Sequence, residues 1–296
     1  MTEAEFTKHF HKKLVETFKK IVEFLNHYNI RWWVCGGTAI GVIRHRGFIP
    51  WDDDIDIFVL REDYEKLFSI REALGGYGLK MKSIEDGPGY PNGFIKIFDA
   101  NTTLWERREF PDVVGVYVDV FPIERSDADM KTTLECMREY RSAMKEYRES
   151  ISYITISLLW DLLKEWHLKT FFKYLVIKLK PHNKAQSYSR YLKSTRLLPN
   201  SVDGKYMVCV LGSYKEREYL DASIFSDTLK MPFESIEVNV PVGYGKYLTQ
   251  LYGDYMQLPP IEKQVSHHDH YYCNFSEGLT LEQVKERIRR GQHIEL

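Results

Sequence analysis

The stretch Phe48–Leu60, FIPWDDDIDIFVL, sets Asp52, Asp53, Asp54 and Asp56 within five residues, inside a run that otherwise favours a buried strand. Asp is depleted in strands and is almost never buried without a partner. Two carboxylates at i and i+2 on one strand face lie roughly 7 Å apart and repel by about 2 kcal/mol at an effective dielectric near ~20. A divalent cation would offset that repulsion. Asp119, in YVDVF between Val118 and Val120, is a third carboxylate on a strand whose valines point inward. Three carboxylates drawn from two strands make an oxygen-only site suited to Mg²⁺ or Mn²⁺. Such sites serve phosphoryl transfer, where the ion clamps phosphates and lowers the pKa of the attacking hydroxyl. A calcium loop of the EF-hand kind does not fit, because no Gly falls at its sixth position and no Glu at its twelfth.

The neighbouring residues predict how the carboxylates are held. Trp32–Cys35 reads as a short strand broken by Gly36-Gly37, which let a backbone approach a ligand closely. Thr38 is placed to N-cap a short helix, Ala39–Arg44, whose N-terminus faces an anion. The acidic strand is expected over Asp53–Leu60. Alternation turns Asp54 and Asp56 to the cleft, Ile55 and Ile57 to the core and Asp53 away, with Asp52 still in the loop. Lys96, between Ile95 and Ile97, points off the core, either to reach a phosphate or as a solvated strand lysine. Arg44 and Arg46 suit a bidentate clamp on a pyrophosphate, or simply balance the aspartates. His267, His268 and His270 in SHHDH lack the matching ligands of a transition-metal site.

Around this centre, Phe6, Phe10, Leu14, Phe18, Ile21, Leu25 and Tyr28 mark one face of a first helix that stops at Asn29. Glu62–Leu74 reads as another. LKMKSI, GFIKIF, TTLWER and GVYVDVFPI alternate between Gly, Pro and Asn turns, as strands of a mixed or antiparallel sheet do. Residues 131–200 read as helical, and residues 161–200 carry nine Lys and Arg against two Asp and Glu. That basic stretch is either a solvated helix face or a surface for an anionic polymer or a membrane. Short strands at Met207–Leu211 and Ile236–Val240 and a helix at Tyr244–Tyr252 follow. The expectation is an α+β fold in three parts: a catalytic core over 1–130, a basic helical region over 131–200, and a part over 201–296 that completes the cleft.

Composition narrows the class. The 296 residues are 44% hydrophobic and 28% charged with a net charge of −1, so no global field points to nucleic acid. The four cysteines are scattered without a CxxC pair, which favours a reducing compartment over a disulfide framework. The start, MTEAEFTKHFHKK, has no apolar core of a signal peptide, and the longest uncharged run in the helical half is the ten residues Ile151–Trp160. The expected location is the cytoplasm, either free or at the inner face of the membrane.

The array GGTAIGVIRHRGFIPWDDDIDIFVLREDYEKL closely resembles the signature of the LicD family, which includes phosphorylcholine transferases and fukutin-type ribitol-phosphate transferases. FIKIFDANTT, VDVFPIE and VPVGYGKYLTQLYGDYMQLPP followed by SHH extend the resemblance over roughly 1–125 and 230–270. It implies a DNA polymerase β-like nucleotidyltransferase core with an added helical region. It implies Gly36, Gly37 and Thr38 as the phosphate turn, Asp54 and Asp56 as metal ligands and Asp119 as the third carboxylate. It also brings His267 and His268 to the cleft as donor-binding candidates, with Arg44 and Lys96. The implied activity is metal-dependent transfer of phosphocholine from CDP-choline to a hydroxyl of a cell-surface glycan, lipopolysaccharide or teichoic-acid precursor. Transfer of ribitol-phosphate or another polyol-phosphate, nucleotide transfer, and a non-catalytic glycan-binding module are the alternatives. Gln264 departs from the family's pattern, which expects a basic residue in the segment after Pro259-Pro260.

Overall fold

The computed structural model describes residues 3–266 and 270–295. The first helix, α1 (Glu3–His27), buries the predicted apolar stripe from Phe10 to Leu25, and Asn29 takes a left-handed φ of 52° to end it. Next come β1 (Trp32–Val34), α2 (Gly36–His45), β2 (Asp56–Leu60) and α3 (Arg61–Ser69), which runs on into a 3₁₀ segment at Arg71–Tyr77. Strands β3 (Leu79–Lys82), β4 (Ile95–Asp99), β5 (Thr103–Trp105) and β6 (Tyr117–Ser126) follow the alternating runs. The helical stretch resolves into α4 (Met130–Ile151), α5 (Ile156–Lys164), α6 (Leu168–Leu179) and α7 (Lys184–Ser194). Beyond it lie β7 (Tyr206–Val208), β8 (Tyr219–Asp221), β9 (Thr228–Phe233), β10 (Ile236–Pro241) and α8 (Tyr244–Tyr252). The chain finishes with β11 (Tyr272–Asn274), α9 (Leu281–Arg289) and β12 (Ile294–Glu295). The fold is α+β.

The main sheet runs β1-β2-β6-β4-β3, with β7 paired to the far half of β6 and β8 to β7. Only β2 and β6 are parallel in it; the other pairs are antiparallel. β5 does not join this sheet, as the meander pattern implied it would, but forms a second one with β11 and β12. Two cross-strand rows explain the sheet's chemistry. Val34, Ile57, Val120 and Ile95 are paired in register and all fully buried, so they form the apolar row on one face. One residue along, Asp56, Asp119, Lys96 and Lys82 are paired in register and face the other way.

α1 packs on β6 and β4 and joins β10, so the first helix and a late hairpin share the core. α4 and α7 pack on one another, with Tyr147 and Tyr191 buried between them at a ring separation of 5.1 Å. All four cysteines are free and buried.

A buried acid beneath this core makes stability depend on pH. Glu218 is buried; Tyr214 N–H donates to its Oε1 at 3.4 Å, and Oε2 has no hydrogen-bond partner among the described residues. Burial pushes its pKa up to about 7, against weaker opposing pulls from Tyr214 and Arg141. The folded chain therefore keeps a proton that the unfolded chain releases near ~4.5, and stability falls as pH rises through that window. Above the folded value the cost is about 3 kcal/mol. Glu218→Gln should raise the melting temperature by several degrees at pH ~8 and change it little near pH ~5. Thermal denaturation at the two pH values checks this.

Candidate active site

The acidic loop is held from three sides before it enters β2. Nε2 of His11, on α1, lies 2.7 Å from the carbonyl of Asp52, and its ring stacks on Phe48. Glu234, in the β9–β10 turn, accepts from the Phe48 N–H. Asp53 accepts from Ser266 Oγ at 2.6 Å and sits 3.0 Å from His270 Nε2.

The acidic strand itself starts at Asp56, three residues later than expected. β1 ends at Val34, and the last ladder bond on that side runs from the Cys35 N–H to the Asp56 carbonyl. Asp54 and Ile55 therefore lie just outside the sheet, although the Asp119 N–H still donates to the Ile55 carbonyl.

The two glycines are needed for close approach. Gly36 has a left-handed φ of +56°, and a Cβ there would meet Asp56 Oδ2 at 3.0 Å. A Cβ at Gly37 would meet Asp52 Oδ2 at 2.6 Å. Two carboxylates thus lean on the start of α2, which begins at Gly36 rather than after Thr38. Thr38 is the third residue of the helix and not its cap. Its hydroxyl instead accepts from the Asp56 N–H at 2.9 Å, tying helix to strand. Gly36 N–H donates to the Tyr247 hydroxyl at 3.0 Å, so α8 completes the turn from behind.

Lys96 is buried, not solvated. Its Nζ lies 3.1 Å from Glu106 and 3.4 Å from Asp119, and 3.0 Å from the centroid of the Tyr117 ring. Tyr117 in turn donates to Glu106. The next cation in the row, Lys82, pairs with Asp112. Removal from water is the main reason that the Asp56 carboxyl is pushed well above the usual carboxylate range. The negative charges of Asp54, Asp119 and Asp52 add to it, and Lys96 offsets only part.

Asp52, expected only as a loop residue, leans on the start of α2, and Glu106, Tyr117 and Lys82 were not singled out from the sequence. For Glu106 a signal existed, since it is a charged residue at the end of the otherwise uncharged run TTLW. Other candidates are placed elsewhere. The Arg44 guanidinium donates to the carbonyls of Tyr255 at 2.8 Å and Gln257 at 3.3 Å, binding α2 to the loop after α8. Gln264 donates to the Pro259 carbonyl and closes the Pro-rich turn. His267 and His268 lie outside the described residues.

Among the described residues no three His, Cys, Asp or Glu side chains already converge as a metal cage. The donor chemistry nonetheless fits a hard divalent cation: a set of carboxylate oxygens, mutually repelling and partly desolvated, with no thiolate or imidazole among them. Beside Asp52 and Asp53 opens a cavity of about 1320 Å³. Phe6, Phe10, Phe48 and Trp51 line it, with Glu16 and Glu234 and with two cations, Lys8 and Lys12.

Residues 29–156 match the family model described as the LicD/FKTN/FKRP nucleotidyltransferase domain. The chain is similar to the lipopolysaccharide cholinephosphotransferase LicD of Haemophilus influenzae, at 30% identity over 246 residues, or 81% of this chain and 88% of that protein. It is also similar to the ribitol 5-phosphate transferase FKRP of Homo sapiens, at 35% identity over 65 residues, covering 22% of this chain and 13% of that protein. A likeness at this level across most of two chains, with a family match that spans Asp54, Asp56 and Asp119, shows that the protein is a phosphotransferase and belongs to the LicD family.

Proposed function

We propose that the protein moves phosphocholine from CDP-choline to a hydroxyl of a cell-surface glycan precursor, on a nucleotidyltransferase-type core over residues 1–130. The carrying observation is the in-register row Asp56–Asp119–Lys96, with Asp54 adjacent and the Gly36-Gly37 turn against it. The relatives' printed activities, transfer of cholinephosphate and of ribitol 5-phosphate, support the reaction class. Asp54 and Asp56 would hold Mg²⁺ or Mn²⁺, with Asp119 as a third ligand. When bound, such an ion neutralises the donor's pyrophosphate and the charge that develops on it. Gly36 and Gly37 leave room for phosphate oxygens against the backbone, and the start of α2 favours their charge. Lys96 orients Asp119, which accepts the proton of the acceptor hydroxyl as it attacks the phosphorus bearing the alcohol. CMP leaves.

The aromatic residues of the cavity beside Asp53 support the choline reading, with Asp52, Asp53, Glu16 and Glu234 outnumbering Lys8 and Lys12 in its lining. Aromatic rings and carboxylates together suit a quaternary ammonium, and each cation–π contact contributes about 0.5–2 kcal/mol. CDP-choline should therefore bind about tenfold more tightly than CDP-ribitol, and Trp51→Leu should narrow that gap. Calorimetry with both donors checks it; equal affinities would favour the polyol reading.

Mass spectrometry of a glycan acceptor incubated with CDP-choline, CDP-ribitol or CTP tests the reaction. A gain of one phosphocholine supports the proposal. A polyol-phosphate, a nucleotide or no gain at all would replace it with one of the alternatives.

A further inference from the structure

The α5–α6 hairpin is amphipathic in an unusual direction, with its apolar residues on the outside. Ile156, Trp160, Trp166, Phe172, Val176 and Leu179 are each between 59% and 81% exposed, whereas only Leu158 and Ile177 of the hairpin are buried. On α6, Leu168, Phe172, Val176 and Leu179 recur at steps of four, four and three, which sets all four on one helix face. Folding alone does not call for such a stripe, because exposed apolar area of this kind gains nothing from water.

Charge surrounds the stripe. Residues 151–184 contain six Lys against Asp161 and Glu165. Asp161 is engaged by Arg108 at 2.9 Å, while Lys164, Lys169 and Lys173 have no ion-pair partner among the described residues. On the helical wheel Lys169 and Lys173 flank the stripe on one side, from which long side chains can lay their stems along apolar surface and keep their ammonium groups in a polar layer. Lys178 and Lys180 serve instead to fasten the hairpin, to the Ile154 carbonyl at 2.7 Å and to Glu149 at 3.0 Å.

We propose that this hairpin docks the protein on an anionic phospholipid bilayer, lying in the interface with Trp160, Trp166, Phe172, Val176 and Leu179 inserted. The charge pattern selects this occupant. A second copy seated on the same face would bring two sets of unpaired lysines together, and an anionic polymer would leave the apolar stripe in water. A bilayer of acidic lipid meets both the apolar residues and the lysines. The nine and twelve residues of α5 and α6 are too short to cross a hydrocarbon core, and no helix among the described residues is long and apolar enough to do so.

The hairpin is also joined to the site wall. Tyr174 donates to Glu109 at 2.9 Å and Arg108 grips Asp161, and both partners lie within three residues of Glu106, which holds Lys96.

Sedimentation of the full chain with large unilamellar vesicles tests the docking, with intrinsic Trp fluorescence as a second readout. The chain should bind vesicles of phosphatidylcholine with phosphatidylglycerol at least about tenfold better than phosphatidylcholine alone, with a blue shift of emission. Trp160→Ser with Phe172→Ser and Leu179→Ser should reduce binding about tenfold at low and high salt alike. Lys169→Glu with Lys173→Glu should abolish the preference for acidic lipid. The circular dichroism of both variants should match the wild type, because the changed side chains are exposed. Absence of vesicle binding overturns the proposal. So does binding that neither variant weakens, a dimer in sedimentation equilibrium that the apolar variant dissociates, or a response confined to the lysine variant and shared with soluble polyphosphate.

Discussion

Asp56→Asn and Asp54→Asn should each lose metal-dependent donor binding and turnover together, with rates down by about 10³-fold or more. Both residues belong to the carboxylate set that crowds the start of β2, and Asp56 is the one pressed between the Gly36 backbone and the in-register Asp119. In metal-free buffer the same substitutions should slightly raise thermal stability, because they relieve repulsion that nothing else fully offsets. That opposite sign separates a damaged ligand set from a damaged fold. Asp119→Asn should behave differently, keeping most donor affinity because Asp54 and Asp56 still hold the ion, and losing about 10²–10⁴-fold in rate as a positioned base, or more through its lost share of the ion. Asp53→Asn should keep appreciable activity, since its carboxylate is turned toward Ser266 and His270. The four variants, assayed for donor affinity and turnover, check the register. If Asp53→Asn is as inactive as Asp56→Asn while Asp54→Asn survives, the assignment of faces is off by one residue.

Lys96→Met should be the most destabilising single change in the site. The side chain lies at 4% exposure between Glu106 and Asp119, so its loss leaves two carboxylates without their cation in a desolvated place. Breaking a buried pair in this way costs about 3–5 kcal/mol, enough to lower the melting temperature of a chain this size by about 10 °C. Adding Glu106→Gln to Lys96→Met should restore part of the loss, because one of the two stranded charges is then gone. A thermal double-mutant cycle checks both statements. An additive result, with no recovery, would mean that Lys96 and Glu106 do not act on one another.

Much of this site was legible in the sequence because strand alternation has a strict period of two. Ile55, Ile57, Val118 and Val120 are fully buried, and Asp56 and Asp119 follow on the opposite face. The apolar stripe of α1 was equally readable from its spacing. What the pattern could not reveal was contact between segments distant in sequence. Thr38 has the residue type of a cap, yet its hydroxyl serves a strand amide eighteen positions on. Alternation turned Lys96 off the core but carried no information on what covers that face, which is Glu106, Asp119 and Tyr117. Arg44 is matched by two carbonyls more than two hundred residues away. The short strands β8, β11 and β12, the six-residue β9 and the helix α9 were not expected from the sequence. Two or three residues hold no period to read, whereas α9 did carry signals, the Thr280–Gln283 capping box and the stripe Leu281, Val284 and Ile288.

The role of the carboxylates as holders of a cation that carries the donor is tested most directly by calorimetric titration. CDP-choline is added to EDTA-treated protein before and after Mg²⁺ or Mn²⁺ is restored. Measurable donor binding is expected only once the ion is present, and none with Asp56→Asn under either condition. Equal affinity of the wild-type protein with and without the ion would contradict it.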